Sequence, residues 1–87
     1  MKNFLIDEMM GLVIGGFSRR GTGWTFTPYT SARQASRKAH ATMREAAKKY
    51  LRPERTIIEA VDGREAQRAA ADAKSKLVQR VEEEAQA

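Results

Sequence analysis

A chain of 87 residues has room for one domain and only a thin core, because chains of this size bury a smaller share of their unfolded surface than larger ones do. The absence of cysteine excludes a disulfide framework and a thiolate metal site, which leaves a cytoplasmic setting as the expectation. A net charge of +5 favours an anionic partner, and an apolar content rich in alanine, with one Trp, two Tyr and three Phe, favours support from a second copy or a larger assembly.

From the N-terminus, residues 4–17 are apolar enough to resemble a leader. Asp7 and Glu8 interrupt them, no small-residue cleavage pattern follows, and the stretch is shorter than the about 20 apolar residues a bilayer span needs. It is therefore expected within the folded domain, with no membrane role. Inside it, the β-prone run of Leu12, Val13 and Ile14 leads to Gly15 and Gly16. Trp24, Thr25, Phe26 and Thr27 then alternate apolar and polar with the period of a half-buried strand that Pro28 ends. Residues 12–17 and 24–27 are expected to form a hairpin whose loop holds Arg19, Arg20, Gly21 and Gly23. The alternative is a helix over 3–14, on which Phe4, Leu5, Met9 and Leu12 also fall at helical spacing.

Ser31 followed by Gln34 has the spacing of a capping box, and Pro53 disfavours helical geometry at Arg52, so a helix is predicted from 31 to about 51. Thr56, Ile57, Ile58 and Val61, bounded by Pro53 and by Asp62-Gly63, favour a strand over the short helix that Pro53 could begin. Asp62 followed by Glu65 repeats the capping pattern and starts a second helix at about 63. Glu82, Glu83 and Glu84 oppose its dipole, so fraying is expected after about 82. The expected fold is α+β in a single domain over 1–87: a small antiparallel sheet, a hairpin plus a third strand, packed against two helices in the order β-β-α-β-α. The alternative fold is mostly α with an N-terminal helix.

On a helical wheel, Ala35, Ala39, Met43, Ala46 and Tyr50 form one stripe, with Ala32 at its margin, and are expected to be buried. Opposite them Arg33, Arg37, His40, Arg44 and Lys48 fall on one arc about 22 Å long, flanked by Lys38 and Lys49. Residues 31–52 carry seven basic side chains against the single Glu45, so this helix would hold nearly all of the surplus charge. A merely solvated face usually mixes signs to gain i,i+4 pairs, as Glu65, Arg68, Asp72 and Lys76 do further on. The unmixed stripe implies a polyanion: nucleic acid, DNA or RNA, held by its phosphates, or else an acidic protein surface. Arg19 and Arg20 would add a basic loop tip. Trp24, Phe26 and Tyr29 alternate as a core face does, so packing is favoured over base stacking.

Nothing in the chain suggests catalysis. His40 is the only histidine and has no partner at metal-ligand spacing, and adjacent Asp7 and Glu8 project to different sides of a helix or strand. There is no phosphate loop and no nucleophile elbow. The reading is a non-enzyme without metal or cofactor: a small basic nucleic-acid-binding protein, of the kind found as phage or mobile-element accessories. The competing reading is an interaction module, an inhibitor or small subunit that docks its basic helix on an acidic protein.

Overall fold

The computed structural model describes residues 1–29 and 38–86. Ser31, Ala32, Arg33, Gln34, Ala35 and Arg37 lie outside the described residues, and with them the first capping box and the start of the basic stripe. The fold is α+β. Four antiparallel strands, β1 (Lys2–Asp7), β2 (Leu12–Arg20), β3 (Gly23–Pro28) and β4 (Arg55–Ala60), form one sheet in the order β3-β2-β1-β4. A short helix α1 (Met43–Ala46), continued by a 3-10 turn at Lys48–Tyr50, precedes β4, and a long helix α2 (Gly63–Gln86) follows it.

The two layers take opposite faces of the sheet. On one side Leu5, Ile14, Phe17 and Phe26 are buried with Ala47, and Met43, Ala46, Tyr50 and Leu51 close over them. The rings of Phe17 and Phe26 lie 4.9 Å apart and those of Phe26 and Tyr50 5.2 Å apart, both tilted. On the other side Phe4 packs with Ala60 and Ala66 of α2, flanked by Val13 and Ile58. A strand buried on both faces reads as a continuous apolar run, which is why Phe4, Leu5 and Ile6 of β1 lacked the alternation that marks half-buried strands. The helix considered for 3–14 is instead β1, a tight turn and the start of β2.

One irregularity sets which side chains reach which layer. Leu5 pairs with Gly15 but Ile6 pairs with Val13, so Ile14 is the extra residue of a β-bulge. The bulge sends Ile14 in beside Phe17 and frees Val13 to face α2. Gly15 follows from the same crowding: a Cβ there would fall on the Thr27 carbonyl oxygen and the Phe26 ring.

The turns follow from side-chain chemistry. Asp7 Oδ1 accepts the N–H of Met9 at 3.0 Å and of Met10 at 2.8 Å, and Gly11, at φ +68°, brings the chain back into β2. The expected hairpin between β2 and β3 is present, but with a two-residue turn, Gly21-Thr22, in which Gly21 takes φ +61°. Arg19 and Arg20 are consequently the last residues of β2, opposite Trp24 and Gly23, rather than residues of a loop.

The helix predicted over 31–51 is corrected by its described part. His40 and Trp24 exchange main-chain N–H···O bonds of 2.8 Å each, a β-bridge that extends the sheet beyond β3, and Thr42 is extended. Helix begins only at Met43, where Thr42 Oγ1 accepts the Glu45 N–H at 3.1 Å, and α1 ends after four residues. Ala39 is exposed, and the fully buried alanine of this layer is Ala47. The order is thus β-β-β-α-β-α. Tyr29 also departs from expectation: it is exposed, with its hydroxyl over Gly16 on the face opposite to Phe26.

The second helix starts as its capping residues require, with Asp62 Oδ1 accepting the Glu65 N–H at 2.9 Å and Glu65 Oε2 accepting the Val61 N–H at 3.3 Å. Ala66 and Ala70 are its buried residues and let the backbone lie close to the sheet. At 24 residues α2 is about 36 Å long, in a molecule of 50 × 24 × 24 Å. Beyond Leu77 every described residue of the helix is exposed.

Candidate functional site

The cations single out the layer that crosses from β3 to β4. Arg19, Trp24 and His40 lie side by side across three neighbouring extended segments, and the Arg19 guanidinium stands 4.6 Å from the centroid of the Trp24 ring. Gly23 allows the third segment to come this close, since a Cβ there would sit 2.8 Å from the His40 carbonyl oxygen. Trp24 is half-buried against the core, as the alternation implied.

From His40 the chain lies along the sheet with Met43, Ala46, Ala47, Tyr50 and Leu51 turned inward. Its outer surface carries exposed Arg44, Lys48, Lys49 and Arg52, with exposed Lys38 just ahead of the bridge. Glu45 is the only carboxylate between Lys38 and Arg52. The Arg52 guanidinium is partly occupied, donating to the Leu51 carbonyl at 2.7 Å. Helix α2 has the mixed surface of a solvated helix, with an i,i+4 ion pair of 3.2 Å between Lys76 and Asp72.

Of the residues the sequence nominated, Arg44 and Lys48 are exposed on this layer, and His40 joins Arg19 through Trp24 at its hairpin end. Arg20 is exposed at the end of β2, and by strand alternation it projects to the face opposite Arg19. No continuous helical stripe connects them, because His40 belongs to a β-bridge and Arg44 to a separate four-residue helix. Arg33 and Arg37 lie outside the described residues. Sequence reasoning missed Arg52 as a member of this face. The local signal for the true helix start, Thr42-x-x-Glu45, was nevertheless present.

It also missed the one buried ion pair among the described residues. Asp7 is 1% exposed, and its Oδ2 meets Arg55 Nε at 3.0 Å while Arg55 Nη1 donates to the Tyr50 carbonyl at 2.7 Å. Burial acts to raise the Asp7 pKa, but the hydrogen bonds from Met10, Arg55 and Met9 together outweigh it and hold the carboxyl below its ordinary value. Arg55 thereby belongs to the framework, tying β4 and the end of the α1 layer to the β1–β2 turn, and not to the cationic face.

Among the described residues no group of three or more His, Cys, Asp or Glu is placed to hold a metal ion, and no helix is long and apolar enough to cross a membrane. No protein-family model matches the chain, and neither a curated protein nor a solved structure matches it.

Proposed function

We propose that this protein is a non-enzymatic nucleic-acid-binding protein that holds the phosphate backbone on the layer from Lys38 to Arg52, with Arg19 at its hairpin end. The observation that carries this reading is the two-sidedness of that layer. Its inner surface is core, while its outer surface carries five cations against one carboxylate. Like charges held together by packing repel one another, and a polyanion relieves the repulsion while releasing its own counterions. The described cations of the layer are arginine and lysine without asparagine or glutamine among them, a composition suited to phosphate and poor for reading base edges.

Trp24 is the only tryptophan and touches Arg19, so its fluorescence reports on the site. Titrating the protein with a duplex and a single strand over a range of salt should give a log–log slope of roughly −3.5 for four phosphate contacts on duplex. Arg44→Glu and Lys48→Glu should each weaken binding and make the slope shallower by about one unit, while stability changes by no more than about 0.5 kcal/mol because both sites are exposed. Absence of binding at low salt, or equal slopes for all three proteins, would overturn the nucleic-acid reading and leave an acidic protein as the better partner for this face.

A further inference from the structure

The two edges of the sheet are treated differently. Beyond β3 the His40 segment takes up main-chain groups, whereas among the described residues β4 pairs with β1 alone. The β1–β4 ladder runs through six consecutive pairs without a bulge, and β4 contains neither the proline nor the lysine that commonly protects an edge.

Backbone directions on this edge follow from the ladder. Glu8 N–H donates to the Glu54 carbonyl at 2.9 Å, in the same register as the strand pairs. Residues bonded to β1 therefore alternate as 54, 56, 58 and 60, and the outward groups belong to Arg55, Ile57 and Glu59. The Arg55 N–H is occupied by the Arg52 carbonyl at 3.0 Å. The Arg55 carbonyl and both main-chain groups of Ile57 and Glu59 face outward.

We infer that this protein self-associates through β4, a second copy adding its own β4 antiparallel across that edge in a register centred on Ile57. The side chains select the partner and the register. With Ile57 opposite its own counterpart, Arg55 of each copy, already paired with Asp7 in its own chain, stands opposite Glu59 of the other, which would give the same guanidinium a second, more exposed carboxylate. Registers centred on Arg55 or Glu59 place like charges face to face.

The surface beside the edge agrees. A groove of about 360 Å³ runs between α2 and β4, with Ile6, Thr56, Ile58 and Leu77 among its lining and Asp72 and Lys76 on its helix side. A two-fold axis perpendicular to the sheet puts both α2 helices antiparallel on one face, so the two grooves join into one trough with acids and bases from both copies. Strand, groove and helix flank together must bury about 500 Å² per protomer to reach the about 1,000 Å² at which specific interfaces begin. This interface uses none of the cationic layer.

The test is sedimentation velocity over a concentration series on three proteins. Wild type should show a reversible monomer–dimer equilibrium. Glu59→Pro removes one outward N–H from each copy while leaving the bonds of Ile58 and Ala60 to β1, and should raise the dissociation constant at least about thirtyfold. Glu59→Lys sets like charges opposite each other and should raise it about tenfold; its exposed site makes it the variant that decides the matter should the proline variant lose its circular dichroism. A wild type that stays monomeric at every concentration, or a dimer whose dissociation constant a folded Glu59 variant leaves unchanged, overturns the assignment.

Discussion

Replacing Asp7 by asparagine tests whether the buried ion pair organises this thin core. The amide of the Asp7→Asn variant would keep a carbonyl oxygen for the N–H groups of Met9 and Met10, but would turn its N–H₂ toward the Arg55 guanidinium, donor against donor. The Arg55 side chain is 19% exposed, so its charge would stay largely desolvated with the Tyr50 carbonyl as its remaining acceptor. Removing one member of a buried pair costs about 3–5 kcal/mol. The lower figure applies because the turn bonds survive, and about 3 kcal/mol corresponds to a melting midpoint lowered by about 12–24 °C in a domain of this size. Thermal and urea melts followed by circular dichroism give the number. A double-mutant cycle with Arg55→Met isolates the pairing: the two losses should be far from additive. The pH dependence adds a sign. Because Asp7 titrates below its ordinary value in the fold, its contribution is fully present above the unfolded value of about 4 and is lost as pH falls through the folded value. The gap between wild type and Asp7→Asn should thus be constant from neutral pH to about 4 and close below it. A variant within about 1 kcal/mol of wild type at neutral pH, or additive single losses, would refute the reasoning.

Two paired comparisons test the packing. Gly15→Ala should destabilise by about 3 kcal/mol or more, because its Cβ meets backbone and a buried ring, whereas at Gly16→Ala the close contact is with the end of the exposed Tyr29 side chain, the Phe4 ring standing at ordinary contact distance, and the cost should be under about 1 kcal/mol; equal losses in urea melts would argue against the bulge that crowds Gly15. Ala47→Leu should cost about 1–3 kcal/mol by overpacking, and Ala39→Leu, at an exposed position, should stay within about 0.5 kcal/mol. The reverse order of melting midpoints would restore Ala39 to the core and with it the helix that the β-bridge excludes.

What the sequence revealed depended on whether the deciding interaction was local. The Asp62–Glu65 cap, the Trp24–Phe26 alternation and the β-branched run before Asp62 each carry their own signal within a few residues, and all three elements stand where those signals put them. The stretch 38–51 does not. Alanine, lysine and arginine make it a strong helix former by propensity, yet His40 gains two main-chain bonds from Trp24, a residue 16 positions away, and propensities of a few tenths of a kcal/mol per residue do not outweigh a sheet extension that also buries Ala47. The same override explains the cationic face. The helical wheel gathered Arg44 and Lys48 for the right reason, since both oppose the core-facing residues of α1 and its 3-10 turn, but it joined them to His40 by a periodicity that ends at Thr42. What brings His40 to Arg19 is the hairpin register, with Trp24 between them. Asp7 and Arg55 were illegible for a related reason: their pairing spans 48 positions and exists only because β4 returns beside β1. Charge sign was readable from composition, while its arrangement had to wait for the sheet; a partner bound by phosphate spacing alone would sense that arrangement through the number of contacts it can make at once. The salt slope therefore distinguishes the folded layer from a mere excess of basic residues. A slope that falls by about one unit for Arg44→Glu but is unmoved by reversing a cation of the mixed α2 surface, Arg68→Glu, is the outcome the layer requires, and equal effects at both positions would reduce the site to net charge.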